Sequence, residues 1–308
     1  MQIISIGEVL WDVFEEKEFL GGAPLNFSAH AQKLGDSAAL VTAVGLDARG
    51  EQARNGMHAL GLNTEFVQTV RDVPTGAAII QTDTKGNASF NIARPAAFDC
   101  LTDMDVLFDG IHKLCPDWIY FGTLAMTNVR TEAALRRIVE CAPRAQRFYD
   151  MNLRTGHWNL DLIKRLSGLA TVLKLNDAEA EQLALLTFSQ SAFDLERFCR
   201  YWAEEYDIET ICVTLGGDGC AVLYRSSFGR FPGYRIQVAD TVGAGDAFAA
   251  AFLHHLHAGL PMDESARFAN ALGALVASKN GATPHWSAEE YRQLMARQST
   301  IPSSSKTY

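Results

Sequence analysis

Along most of the chain, short apolar runs alternate with segments in which apolar residues return every three or four positions. Ile3–Ile6 reads as a first strand. Ala23–Leu34 reads as a helix, with Pro24 in its first turn, Phe27, Ala31 and Leu34 on one face, and Gly35 as its stop. Strand and helix follow again at Ala38–Ala43 and Gly50–Leu60. The pattern then changes. Thr75–Thr82 and Ala88–Ala93 are strand-like runs around Asp83-Thr84-Lys85-Gly86-Asn87, a hairpin turn signal. Val9–Phe19 is a similar mixed stretch without helical period. From Asp117 the alternation is regular. Strands fall at Trp118–Phe121, Arg147–Tyr149, Val172–Leu175 and Thr210–Thr214, and helices at Thr131–Cys141, Leu160–Leu166, Asp177–Leu186 and Ala192–Glu205. Antiparallel strands are expected around Ala221–Tyr224 and Tyr234–Val238, then helices over Asp246–Ala258, Met262–Lys279 and Ala288–Ala296.

Near-continuous apolar strands separated by helices predict an α/β fold, a doubly wound and mostly parallel sheet with helices on both faces. A small β-sheet lid, formed by residues 9–22 and 71–98, is expected to project from it, well placed to cover a ligand at the strand ends. Its open strand edges are candidates for pairing in a homodimer. No repeat or linker divides the chain, so residues 1–308 are expected as a single domain, with 299–308 a frayed polar tail.

Composition narrows the function classes. The formal net charge is −9 and no Lys/Arg run exceeds two residues, which argues against nucleic acid and anionic lipid as partners. The six cysteines form no C-x-x-C pair, which fits free thiols in a reducing compartment. No apolar run reaches membrane-spanning length, and Met1–Gly7 reads as a core strand rather than a leader, so a cytoplasmic location is expected. His254, His255 and His257 invite a metal reading. Only the first and last share a helix face and no acid or thiol lies near in sequence, so a structural role is expected.

The strongest local signal is Asp240-Thr241-Val242-Gly243-Ala244-Gly245-Asp246-Ala247-Phe248, between a strand and a helix. The helix is marked by Phe248, Phe252 and Leu256 at four-residue spacing, Gly259 at its end and Pro261 beyond. Glycines just before a helix start let bare backbone N–H groups converge, and with the helix dipole they make an anion site. A carboxylate in that first turn is poorly placed to bind phosphate but well placed as a base beside a phosphate in transfer. The bland alternative is a charge that complements the dipole. A dinucleotide fingerprint fails because Phe248 stands at its third glycine, and no Walker A loop occurs.

The same stretch resembles the C-terminal signature of the ribokinase-like (phosphofructokinase-B type) sugar kinases. Five further motifs follow the family's order: Gly21-Gly22-Ala23-Pro24-x-Asn26, Gly45-x-Asp47-x-x-Gly50, Asp150-x-Asn152-x-Arg154, Lys174-x-Asn176-x-x-Glu179 and Thr214-Leu215-Gly216-x-x-Gly219. The resemblance spans about residues 3–290. Within the family, Gly-Gly-Ala-Pro with Gly7-Glu8, Asp12 and Trp158 most resembles fructokinases, with 2-keto-3-deoxygluconate kinases and ribokinases as alternatives.

The resemblance implies an ATP-dependent kinase that transfers the γ-phosphoryl to a primary sugar hydroxyl, fructose first among acceptors. It implies Asp246 as base, with the Gly243, Ala244 and Gly245 amides holding the developing charge. Asp12, Gly22 and Asn26 would bind sugar hydroxyls, with Arg94 and Arg154 as further sugar or phosphate contacts. Asn176 and Glu179 would hold Mg²⁺ through water. Thr214, Gly216, Gly219 and Asn270 would line the nucleotide. Asp240, Val242, Val276, Lys279 and Gly281 are positions for carbonyls around a monovalent cation such as K⁺. His285 stands where some relatives carry a hydroxyl residue, which counts against that ion. The competing classes are a non-catalytic sugar- or nucleotide-sensing protein on the same fold and a Rossmann oxidoreductase; Asp246 with its intact anion loop argues against the first, and Phe248 against the second.

Overall fold

The computed structural model describes residues 1–14, 17–82, 88–101, 104–188 and 192–298. The strands are β1 (Gln2–Ile6), β2 (Leu10–Phe14), β3 (Lys17–Gly21), β4 (Ser37–Gly45), β5 (Val67–Val70), β6 (Gly76–Thr82), β7 (Ala88–Ile92), β8 (Trp118–Phe121), β9 (Gln146–Asp150), β10 (Val172–Asn176), β11 (Thr210–Thr214), β12 (Cys220–Tyr224) and β13 (Ser227–Phe231). The helices are α1 (Ala23–Lys33), α2 (Ala48–Ala59), α3 (Met104–Leu114), α4 (Val129–Cys141), α5 (Leu160–Ser167), α6 (Asp177–Thr187), α7 (Leu195–Tyr206), α8 (Ala244–His257), α9 (Met262–Ala277) and α10 (Ala288–Gln298).

Nine strands form the large sheet in the order β13-β12-β11-β10-β9-β8-β1-β4-β5. Its run from β5 to β11 is parallel throughout, and β12 and β13 add an antiparallel edge. Alternate residues of one strand serve opposite faces, as the pleat requires. Ile3 belongs to the apolar cluster that holds Phe27 of α1 and Phe248 and Phe252 of α8, whereas Ile4 and Ile6 belong to the one that holds Leu135 and Ile138 of α4. Both faces are therefore buried, which explains why the parallel strands read as continuous apolar runs. A second sheet, in the order β3-β2-β6-β7, joins the two β-rich stretches. Trp11 and Leu20 pack it onto a cluster that includes Leu25, Leu40 and Met57.

Three elements differ from the sequence reading. The strand after β12 is Ser227–Phe231, and Tyr234–Val238 has no regular structure. Arg225, at φ 53, and Ser226 turn the chain back at once, and Ser227 and Gly229 lie in the strand itself. Helix α3 hides behind Gly110, a residue that reads as a breaker. A Cβ there would lie 2.5 Å from the Phe66 ring, so close packing requires the glycine. The short strand β5 carries too few residues to show a period. The proposed hairpin turn at residues 83–87 and the tail at 299–308 lie outside the described residues. No helix among the described residues is long and apolar enough to cross a membrane. Of the six free cysteines, Cys199, Cys212 and Cys220 are buried and Cys115 is exposed.

Candidate active site

Chemistry-bearing side chains gather where the parallel strands end. Asp150 closes β9, Asn176 closes β10, Thr214 closes β11, and Glu8 follows β1. Strand carboxyl ends in open α/β sheets make the crevice in which ligands bind. Two helix starts face the same crevice. Gly22, at φ 111, caps α1, and a Cβ on it would sit 2.4 Å from the Glu8 carbonyl oxygen, so only glycine lets the chain turn there. Gly243, at φ 77, caps α8, and its hypothetical Cβ would sit 2.2 Å from the Ala282 carbonyl oxygen. That tight approach is backed by His30, which is buried and whose Nε2 lies 3.0 Å from the same carbonyl. Among the described residues the Gly245 and Asp246 amides find no backbone acceptor, as expected at a helix start.

Asp246, the third residue of α8, is buried. Its one hydrogen bond among the described residues comes from Asn26 Nδ2 of α1, at 2.9 Å, across 220 positions of sequence. Burial pushes its pKa up to about 6, the Asp150 charge adds to this, and Lys174, Asn26 and Arg154 oppose it. Lys174 is the buried cation of the cleft. Its ammonium donates to both Asp150 oxygens, at 2.9 and 3.1 Å, and a Cβ on Gly245 would lie 3.2 Å from its Nζ. Burial alone would lower the Lys174 pKa, but the Asp150, Asp246 and Glu179 carboxylates outweigh it and hold the ammonium above its ordinary value. Tyr120 donates to Asp150 Oδ2 at 3.0 Å, and burial together with that carboxylate keeps the phenol protonated.

Asp12 lies on β2, one of the two central strands of the small sheet, close enough to Gly21 that a Cβ there would meet its Oδ2 at 2.7 Å. Burial raises the Asp12 pKa to about 6 against the charge of Arg154. Arg154 itself bonds Asn152 Oδ1 at 2.8 Å and acts on the charges of Glu8, Asp12 and Asp246, so it faces the cleft from the β9 end. Arg94 is committed elsewhere. It pairs with the buried Asp99 through two guanidinium nitrogens and lies over the Phe98 ring, so a contact with ligand requires it to leave that pair.

Asn176 and Glu179 form a reciprocal cap at the start of α6. Asn176 Oδ1 accepts the Glu179 amide and Glu179 Oε2 accepts the Asn176 amide, each at 2.8 Å, while Glu179 Oε1 accepts Leu153 N–H at 2.6 Å. Burial raises the Glu179 pKa. One carboxylate with an amide side chain beside it suits a hydrated hard dication better than a full protein cage. Among the described residues, no three His, Cys, Asp or Glu side chains are arranged to hold a metal ion.

Thr214, Gly216, Gly219 and Asn270 meet at the end of the β11–β12–β13 edge. Gly219, at φ 98, turns the chain where a Cβ would lie 2.1 Å from the Phe231 carbonyl oxygen. Asn270 of α9 donates to the Phe231 and Pro232 carbonyls at 3.1 and 3.2 Å. One turn further along α9, Gly273 packs on the Ala244 carbonyl, which ties this corner to the start of α8. Of the cation candidates, Asp240 accepts the Val242 and Gly281 amides at 3.0 Å each. The Val276 carbonyl accepts the Lys279 N–H, and the Lys279 ammonium donates to the His285 carbonyl at 2.8 Å. The three histidines of α8 go separate ways: His254 to Asp36, His257 to the Trp118 indole, and His255 onto the Phe268 ring.

Sequence reasoning reached Asp246, Asn26, Asp12, Gly22 and Arg154, which the structure brings to one crevice, and left Glu8, Asp150, Lys174 and Tyr120 without roles. Their signal was partial: Asp150 and Lys174 stand inside recognised motifs, but their pairing joins strands 24 residues apart.

Comparison with known proteins bears on this arrangement. Aminoimidazole riboside kinase of Salmonella typhimurium is 29% identical over 301 residues, which cover 90% of this chain and 89% of the relative. Fructokinase-1 of Oryza sativa is 29% identical over 309 residues, covering 92% and 93%. In structure, the fructokinase with bound ATP from Xylella fastidiosa superposes with a TM-score of 0.84 at 24% identity, covering 97% and 99% of the two chains. A putative ribokinase II from E. coli, solved with ATP and Mg²⁺, gives 0.80 at 20% identity, covering 96% and 99%. These two neighbours share the ribokinase-like fold. The family profile described as "pfkB family carbohydrate kinase" matches residues 4–289, so this chain, with its buried acid at a glycine-opened helix start, belongs to the pfkB family of carbohydrate kinases.

Proposed function

We propose that the chain transfers the γ-phosphoryl of ATP to a primary hydroxyl of a sugar, with D-fructose as the preferred acceptor. The observation that carries the reading is Asp246. It is a buried carboxylate in the first turn of α8, beside amides without acceptors and held by one side chain of the opposite helix start. Phosphoryl transfer needs in-line positioning and charge neutralisation more than covalent help. In this scheme Asp246 takes the hydroxyl proton, and its raised pKa of about 6 brings it nearer to working pH while leaving it mostly ionised at neutrality. The amides at Gly243, Ala244 and Gly245, with the Lys174 ammonium behind Gly245, stabilise charge developing on the phosphoryl oxygens. Asp12 and Asn26 orient the sugar. Thr214, Gly216, Gly219 and Asn270 form the nucleotide end. Mg²⁺, when bound through water at Asn176 and Glu179, would neutralise the outer phosphates.

Fructose is favoured by Gly21-Gly22-Ala23-Pro24 and by the fructokinases among the relatives. A riboside acceptor is the second reading, because aminoimidazole riboside kinase is equally similar. We further propose that the small sheet closes over the sugar and excludes water. Its edges, β3 and β7, are the strands we assign to a homodimer contact. A coupled ADP assay over fructose, ribose, 2-keto-3-deoxygluconate, fructose 6-phosphate, adenosine and aminoimidazole riboside tests the acceptor. A tenfold higher kcat/KM for another of them overturns the fructose assignment; no sugar-dependent ADP release at all favours a sensing protein.

A further inference from the structure

The mechanism above leaves unused a buried acid with an unpartnered oxygen. Glu8 stands two residues beyond β1, is 5% exposed, and its Oε2 has no hydrogen-bond partner among the described residues. Burial raises its pKa to about 7, and the nearby Glu8 and Ala23 amides and the Arg154 charge ease this without offsetting it. The Asp246 carboxylate acts on it as well, which places Glu8 at the same crevice as the proposed base. Asn26 shows the same feature. Its Nδ2 is committed to Asp246, while its Oδ1 is buried and accepts nothing among the described residues. Two buried acceptors without donors therefore flank Asp246, one at the end of β1 and one on α1. Native proteins rarely leave such atoms unpaired, because the desolvation is not recovered. A ligand rich in hydroxyl hydrogens supplies what both lack.

We propose that Glu8 is a specificity residue of the acceptor site, its Oε2 taking the hydrogen of one non-transferred hydroxyl of a polyhydroxylated acceptor while Asn26 Oδ1 takes another. This rests on the sugar-kinase reading and adds a contact that reading does not contain. Removing the matching hydroxyl from the acceptor then penalises the wild-type enzyme only. A site built to bond a hydroxyl rejects an analogue without it, because its own acceptor is left unpaired.

The test compares wild type, Glu8→Gln and Glu8→Ala with D-fructose and with its monodeoxy analogues at each hydroxyl other than the transferred one. Turnover is measured beside calorimetric binding of the same sugars. In wild type, one analogue should lose about 10–100-fold in kcat/KM, the range for a hydrogen bond to a charged group. In Glu8→Ala that analogue and fructose should differ by less than about threefold, fructose KM should rise by about 10–100-fold, and ATP KM should stay within about twofold. Glu8→Gln carries the same comparison with the shape kept, should Glu8→Ala fail to fold. Undiminished discrimination at every position in both variants, or an unchanged fructose KM, overturns the proposal while the sugar-kinase reading stands. Absence of fructose binding and turnover in wild type overturns both.

Discussion

Asp47 and Asp246 both stand in glycine-bearing turns that open a helix, and the chain treats them in opposite ways. Asp47 caps α2. Its carboxylate accepts Gly50 N–H at 2.7 Å, Thr75 N–H at 2.8 Å and the Thr75 hydroxyl at 2.7 Å. Burial pulls its pKa upward, but the Thr75 hydroxyl and the two amides outweigh it and hold the carboxyl below its ordinary value. Asp246 is buried, receives a single hydrogen bond among the described residues, and is pushed up to about 6. The first site is closed by its own chain, and Thr75 leads straight into β6, so the turn fastens the small sheet to the large one. The second is left open, at a cost to folding that only a ligand recovers. Both aspartates lie in motifs of the family, so hydrogen-bond saturation, more than motif membership, separates the capping acid from the proposed base.

The comparison breaks most visibly in rate. Asp246→Asn should lower kcat by about 10²–10⁴-fold, the range for loss of a general base, with sugar and ATP affinity kept within about threefold of wild type. A kcat within about fivefold of wild type removes Asp246 from the chemistry, since general-base loss costs at least about 10²-fold.

A smaller effect should appear in stability against pH. Asp246 and Asp12 at about 6 and Glu8 at about 7 bind protons in the folded state that the unfolded chain has released above about pH 4. Folded-state affinity for protons is higher, so stability should fall as pH rises from about 4 to 7 on account of these groups. Asp246→Asn removes one of them. At pH 8 its melting temperature should equal or exceed that of wild type, by a free energy on the order of 1–3 kcal/mol, and the difference should shrink at pH 5. A variant that melts lower at pH 8 by the same amount would show that the carboxylate stabilises the fold.

Asp47→Ala should do the reverse. It should cost about 0.5–2 kcal/mol of stability, the range for a lost helix cap, and leave kcat within about threefold. Chemical denaturation and a saturating rate assay on one preparation decide it. A rate loss approaching that of Asp246→Asn would erase the distinction between the two sites.

Much of the fold was legible because parallel strands buried on both faces leave continuous apolar runs, as at Val172–Leu175 and Thr210–Thr214. What escaped was local chemistry that tertiary contact overrules. Gly110 breaks the reading of α3 yet is required by the Phe66 ring, and Gly229 lies inside β13. In the site, residues were legible where a turn needs a glycine or a helix start needs a donor, as at Gly22, Gly243 and Asp246. Pairings were not. Asn26 meets Asp246 across 220 positions, and His30 supports the Gly243 turn through a carbonyl 252 residues away. Nothing in sequence spacing encodes such distances. Glu8 escaped for another reason: Gly7-Glu8 belongs to the resemblance but carries no role there, and only burial without a partner on Oε2 marks it out.

The most direct test of the account is the pH dependence of kcat/KM for the preferred acceptor, in wild type and in Glu8→Gln. The proposed base works only when ionised, so activity should be full above about pH 8 and fall through an apparent pKa of about 6, with protonation of Glu8 at about 7 adding to the loss in wild type only. One pH unit below that value the rate should be down about tenfold. The limb should persist in Glu8→Gln, which assigns it to Asp246. A profile that stays flat from pH 8 to pH 5 in both enzymes would contradict the claim that this buried, nearly unpartnered carboxylate takes the acceptor's proton.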